Sequence, residues 1–223
     1  MLSYYITDRM QFAGSEVERK ARLLRTIARA VAAGVDYVQL REKDLSIREL
    51  EMLAVEALRI MRGEGEARLL INHRTDVALA AGADGVHLTG DDISASEARA
   101  LAAKVRAGHF VVATSCHSAR EVRMAESHGA DFVVLAPIFE KANVVKDGIG
   151  LDALRAAAQK DRAPDLRVEA GDTRRRFAVF ALGGVSLERA AECAAAGAAG
   201  VAGIRLFQEC EDLDALVGAI RKL

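Results

Sequence analysis

Gly34-Val35-Asp36-Tyr37-Val38-Gln39-Leu40 is the stretch whose reading decides the fold. A glycine suits the left-handed residue that ends a helix, and the apolar run behind it reads as a strand buried on both faces. The pattern Gly-x-Asp-x-Val-x-Leu returns as Gly82-Ala83-Asp84-Gly85-Val86-His87-Leu88 and as Gly129-Ala130-Asp131-Phe132-Val133-Val134-Leu135. A weaker copy starts at Gly197. The first two intervals are 48 and 47 residues, two strand-helix units each, and the third is 68. Fourfold recurrence of a two-unit block implies eight units.

Outward from these copies, short β-branched runs alternate with amphipathic stretches along the whole chain. Strands are expected at 2–8, 36–42, 68–72, 85–89, 110–115, 132–137, 177–182 and 200–206. Helices are expected at 17–33, 47–61, 75–81, 94–104, 119–127, 151–159, 187–196 and 213–221. In the second of these, Leu50, Leu53, Ala54, Ala57, Leu58 and Met61 share one helical face. Strand then helix, eight times over, predicts an α/β protein with one (β/α)8 TIM barrel across residues 1–223. The rival is a six-stranded doubly wound sheet, which leaves two strands unexplained. The long third interval holds two irregular segments, one directly after the sixth strand and one polar run at 161–176 with Pro164 and Arg174-Arg175-Arg176. The second reads as a solvated insertion, with anion binding as the other reading.

Composition narrows the function classes. The 223 residues are 51% hydrophobic and 28% charged, enough for a large core. Lys plus Arg number 31 against 32 Asp plus Glu, so the basic excess of a nucleic-acid-binding domain is missing. The longest apolar stretch, 193–204, is too short for a bilayer, so no membrane role is expected. The opening Met1-Leu2-Ser3-Tyr4-Tyr5-Ile6-Thr7-Asp8 does not read as a signal peptide. Three cysteines (Cys116, Cys193, Cys210) without metal spacing fit a reduced, cytoplasmic setting. A homo-oligomer is compatible with all of this.

Active sites of such barrels lie at the carboxyl ends of the strands. The second strand ends Gln39-Leu40-Arg41-Glu42-Lys43-Asp44, and alternation puts Gln39, Arg41 and Lys43 on one side. Buried cations need partners, so the segment is either an ion-pair network with Glu42 and Asp44 or a site for a highly anionic ligand. Asn72-His73 ends the third strand and Thr89-Gly90-Asp91-Asp92 follows the fourth. A carboxylate there opposite a cationic mouth suits magnesium shared with phosphate, and equally suits a helix N-terminus. His87 reads as a hydrogen-bonded core histidine. Gly183-Gly184 after the seventh strand and Ile204-Arg205 after the eighth occupy the usual phosphate position of barrels.

Together these segments resemble the thiamine phosphate synthase family over nearly the whole chain. The resemblance is carried by Tyr5-Ile6-Thr7-Asp8, by 39–44, and by Ile71-Asn72-His73-Arg74 running on through Asp76-Val77-Ala78-Leu79-Ala80. It continues through Gly85-Val86-His87-Leu88, Ser115-Cys116-His117-Ser118, Pro137-Ile138-Phe139 and Leu182-Gly183-Gly184-Val185. The resemblance implies a transferase that joins a hydroxymethylpyrimidine diphosphate to a thiazole phosphate, releasing diphosphate and using magnesium. It implies that Arg41, Lys43 and Ser115 are catalytic. Gln39, Leu40, Arg41, Glu42, Lys43, Asn72 and Ser115 would line the diphosphate and pyrimidine; Gly183, Gly184, Ile204 and Arg205 would surround the thiazole phosphate. Asp92 would be a magnesium ligand, and His73 stands where the family has a second, aspartate ligand. Either Lys141 or Lys146 takes the place of the lysine in the family's Pro-Thr-x-Thr-Lys loop, and Arg205 stands where the family has serine. A thiazole tautomerase-type relative, which has histidine at the position of Pro137, and a non-catalytic phosphate-ligand binder are the alternatives.

Overall fold

A computed structural model describes residues 1–105, 107–139, 148–158 and 177–223. Lys141, Lys146 and the polar run at 161–176 lie outside the described residues. The strands are β1 (Leu2–Ile6), β2 (Tyr37–Leu40), β3 (Arg68–Asn72), β4 (Gly85–Leu88), β5 (Val111–Cys116), β6 (Phe132–Leu135), β7 (Ala178–Ala181) and β8 (Gly200–Gly203). Between and after them run α1 (Glu16–Ala32), α2 (Ile47–Glu64), α3 (Thr75–Ala81), α4 (Ala95–Lys104), α5 (Ala119–Ser127), α6 (Gly150–Ala158), α7 (Leu187–Ala195), α8 (Arg205–Gln208) and α9 (Leu213–Lys222). All eight strands are parallel, each pairs with its neighbours in sequence, and β8 pairs with β1 to close the barrel. Closure excludes the doubly wound sheet.

Local chemistry explains where the elements start. Ser15, Ser46 and Ser94 open α1, α2 and α4, each accepting the N–H of a glutamate three residues on whose side chain returns to the serine N–H. Two otherwise orphaned donors are satisfied at each start. The four repeat glycines, Gly34, Gly82, Gly129 and Gly197, all have φ between 69° and 97°, the left-handed conformation that stops a helix. The repeat aspartates do work that the pattern did not disclose. Asp36 Oδ2 accepts the Ser3 N–H, Asp84 Oδ2 that of Leu69, and Asp131 Oδ2 that of Val112, at 2.7–2.8 Å. Each carboxylate thus pins the start of the preceding strand and fixes the register at the amino end of the barrel. Ala199 stands at this place in the fourth copy, which is why that copy reads as weak.

Several expected strands are trimmed: 2–8 ends at Ile6, 36–42 spans Tyr37–Leu40 and 177–182 spans Ala178–Ala181, and two more end early for a local reason. The strand expected at 200–206 stops at Gly203, because Phe207 and Gln208 donate to the Ile204 carbonyl and wind the chain into α8. The strand expected at 132–137 stops at Leu135, since Pro137 has no N–H to carry the ladder.

Alternation divides the core into two layers. Val38, Leu40, Leu69, Ile71, Val86, Leu88, Val133 and Leu135 face the helices. Tyr4, Ile6, Leu70, Val111, Ala113, Phe132, Val134, Phe180 and Ala202 fill the barrel. Tyr4 lies edge-on to Tyr37, Phe132 and Phe180, with ring centroids 5.6–5.9 Å apart, so an aromatic plug closes the lower barrel. The plug is the floor on which the site rests. No helix of the described residues is long and apolar enough to cross a membrane.

Candidate active site

Above the aromatic floor the inward positions turn polar. The Gln39 amide donates to Asn72 Oδ1 (3.1 Å), joining the ends of β2 and β3. His87 of β4 touches the Tyr4 hydroxyl through Nδ1 (3.1 Å) and Ser115 Oγ through Nε2 (2.8 Å). Only one nitrogen of a neutral imidazole carries a proton, so Tyr4 and Ser115 divide the donor and acceptor roles. Burial, assisted by the Arg41 charge, pushes the His87 pKa down to about 3. The expectation of a core histidine is met, and its second nitrogen orients the serine at the rim. The unfolded chain takes up this proton near the ordinary 6.5 while the folded chain refuses it until about pH 3. Stability present above pH 6.5 is therefore lost as pH falls through that window, by at most about 1.4 kcal/mol per pH unit. Urea midpoints at pH 7 and pH 5 should converge more closely in His87→Gln than in the wild type; parallel shifts would show that His87 titrates freely.

The cationic segment after β2 has an unexpected partner. Glu42, one of the residues the resemblance put at the substrate, is buried, and its carboxylate accepts from the Thr7 hydroxyl (2.6 Å), the Arg9 N–H (3.0 Å) and the Arg9 guanidinium (3.1 Å). Asp44 accepts two parallel bonds from Arg9, both 2.7 Å. Leu40 is packed in the outer core, leaving only its backbone for a ligand. Among the described residues, neither the Arg41 guanidinium nor the exposed Lys43 ammonium is in an ion pair. An ion-pair network does exist here, as one reading of the sequence had it, but Arg9 is its cation. Arg41 and Lys43 remain open to an anionic ligand.

Across the mouth, Asp92 Oδ2 accepts the N–H and hydroxyl of Thr89, at 2.6 and 2.9 Å, which ties the turn after β4. Its Oδ1 is paired with Nδ1 of His73. His73 has φ 69°, a left-handed conformation rare outside glycine, and its N–H donates to the His87 carbonyl (2.8 Å). His73 stands where the family has a second, aspartate ligand, and here it meets Asp92. Among the described residues no three His, Cys, Asp or Glu side chains converge on a common point. The donor set nevertheless fits magnesium in one way, since that ion takes one or two carboxylates and completes its shell with water and substrate phosphate. Asp92 is the carboxylate available, and His73 occupies its open oxygen.

At the opposite rim Gly183 and Gly184 have φ 96° and 63°. A Cβ at Gly183 would stand 2.8 Å from Pro137 Cα, so contact as well as conformation requires glycine there. The Gly183 carbonyl accepts from Phe139, whereas among the described residues the N–H groups of Gly183, Gly184, Ile204 and Arg205 make no turn or loop hydrogen bond. Exposed Arg205 begins α8 beside them. Free amides with a nearby guanidinium are the makings of an anion site. A crystal soaked in phosphate or sulfate should show one anion against Gly183, Gly184 and the Ile204-Arg205 backbone. An empty rim at high phosphate would remove this assignment.

Sequence reasoning did not single out Arg9, Thr7 or Tyr4. The one available signal was an arginine directly behind the end of a barrel strand, at the mouth by construction. In a hollow of about 300 Å³ at the other end of the barrel, Asp36 is held by Ser3 and Arg221 by the Gly34 carbonyl.

A closed parallel barrel with Arg41, Lys43 and the Gly183-Gly184 turn at the carboxyl ends of its strands defines the class: a (β/α)8 TIM-barrel protein. The chain belongs to the thiamine monophosphate synthase family, whose sequence model matches residues 3–207. A provisionally named thiamine-phosphate synthase of Geobacter sulfurreducens is 40% identical over 201 residues, 89% of this chain and 83% of its own. The thiamine-phosphate synthase of Chloroflexus aurantiacus is 34% identical over 224 residues, 99% of this chain and 91% of its own. Among solved structures, a thiamine phosphate pyrophosphorylase from Pyrococcus furiosus superposes with a TM-score of 0.76 at 26% identity, covering 99% of this chain and 94% of that one.

Proposed function

We propose that this protein is a transferase of the thiamine phosphate synthase type, joining a hydroxymethylpyrimidine diphosphate to a thiazole phosphate with release of diphosphate. The observation that carries the reading is the freedom of Arg41 and Lys43: their neighbouring acids are held by Arg9 instead. Two open cations at one rim and free amides at the other suit two phosphorylated substrates in one mouth.

The bond from the pyrimidine methylene to the diphosphate oxygen breaks, and its electron pair leaves with the diphosphate. The lone pair of the thiazole nitrogen then forms the new carbon–nitrogen bond. Arg41 and Lys43 stabilise the negative charge that gathers on the leaving group, and this electrostatic contribution is the main catalytic term. Gln39 and Asn72, linked to each other, offer amide groups to the pyrimidine, and Ser115 is oriented by His87. Gly183, Gly184, Ile204 and Arg205 hold the thiazole phosphate so that its ring nitrogen faces the methylene carbon. A magnesium ion held by Asp92 would neutralise further charge on the diphosphate when bound.

Mixing both phosphorylated substrates with the protein, with and without magnesium, should yield thiamine phosphate. Binding of both without product would favour the non-catalytic reading, for which the His73–Asp92 pair is the specific support. Conversion of the thiazole alone would favour the tautomerase-type reading.

A further inference from the structure

We propose that the turn after β1, Thr7-Asp8-Arg9, is a brace that positions both anion subsites at once, with Arg9 and Gln208 as positioning residues. The proposal rests on the two-subsite reading given above. Arg9 is 3% exposed, yet its guanidinium serves three carboxylates: Glu16 through Nε (2.6 Å), Glu42 through Nη1 (3.1 Å), and Asp44 through both terminal nitrogens (2.7 Å each). A buried cation is a costly way to stabilise a fold, because apolar side chains of similar volume do as well or better. Its effect here is selective. In Arg41-Glu42-Lys43-Asp44 both acids are engaged by Arg9, so neither is left to neutralise the two cations.

The same turn sets the backbone. The Arg41 N–H donates to Thr7 Oγ1 (2.9 Å), so the Thr7 hydroxyl proton is directed to Glu42. Arg41 is thereby fixed by a chain of bonds that ends on Arg9. On the other side, Gln208 of α8 clasps the turn: its Oε1 accepts the Asp8 N–H (2.8 Å) and the Tyr5 hydroxyl (3.1 Å), and its Nε2 donates to the Asp8 carbonyl (3.0 Å). The α8 helix begins at Arg205, on the rim assigned to the second phosphate. β1 lies between β2 and β8 in the barrel, so its turn bonds to Arg41 on one side and, through Gln208, to the helix that Arg205 begins on the other.

Two charge-conserving variants of the full chain separate geometry from field strength. Arg9→Lys keeps the charge and loses the two-pronged grip; Gln208→Leu removes the clasp and no charge. Inorganic diphosphate is titrated by calorimetry, then inorganic phosphate in saturating diphosphate, so that the second probe reads the remaining rim. Arg9→Lys should weaken diphosphate at least fivefold and Gln208→Leu should weaken phosphate at least fivefold. Each should also weaken the other probe at least twofold, and the double variant should lose less than the product of the two. In turnover, the diphosphate substrate's KM should rise more in Arg9→Lys than kcat falls. Losses confined to each variant's own rim, no losses, or losses no larger than the fall in folded fraction would overturn the brace. Wild-type protein that binds neither anion would instead overturn the two-subsite reading, and the brace with it.

Discussion

Lys43→Ala should lower kcat/KM by at least about a hundredfold while the melting temperature moves by no more than a few degrees. Lys43 is exposed and forms no ion pair among the described residues, so truncating it leaves no buried group without a partner. The structural cost of such a change is small. The functional cost is set by what the ammonium faces in the transition state, where a full charge is leaving with the diphosphate. Removing one preorganised donor from such a charge commonly costs roughly 3 kcal/mol, or about two orders of magnitude in rate. Steady-state kinetics together with a thermal melt check both halves. A parallel collapse of stability and activity would mean that the ammonium holds the fold, and a variant as active as the wild type would remove Lys43 from the leaving-group site.

How much of this was legible in the sequence depended on how local the physics was. The Gly-x-Asp-x-Val-x-Leu copies revealed the barrel because helix termination and strand entry are decided within seven residues. Boundaries failed where a backbone bond overrode an apolar run, as when Ile204 took the N–H groups of Phe207 and Gln208 and began α8. The shared side of Gln39 and Arg41 followed from alternation, and the place of Asn72 from its position at a strand end. The partner choice of Glu42 did not, since it depends on Thr7 and Arg9, more than thirty residues away in sequence and adjacent only because β1 pairs with β2. The aspartates of the repeat were visible as a pattern and silent as to task for the same reason: their acceptor role spans two strands. Lys141 and Lys146 fall outside the described residues, so their choice rests with the sequence.

Asp92→Ala should abolish magnesium-dependent turnover, and His73→Asp should tighten magnesium binding measured without substrate. Both follow from the occupancy of one carboxylate. Oδ2 of Asp92 is committed to the Thr89 turn and Oδ1 to His73, so free protein offers the ion little. Imidazole is a poor ligand for so hard a cation, and its presence gives up one negative charge relative to a second aspartate. Magnesium should therefore bind the free protein weakly and enter together with the diphosphate, whose oxygens complete the shell. His73→Asp supplies the missing charge beside Asp92, and calorimetry with magnesium alone should read at least a tenfold gain in affinity. Because Asp92→Ala also unties Thr89, Asp92→Asn is the necessary companion: it keeps an acceptor for the Thr89 N–H and removes the charge. If the charge is what matters, both variants lose metal-dependent product formation while Asp92→Asn melts close to the wild type. Full activity of Asp92→Ala in the presence of a chelator would sink the metal assignment. The His73–Asp92 pair would then be a structural tie between the turns after β3 and β4, and the charge on the leaving diphosphate would fall to Arg41 and Lys43 alone.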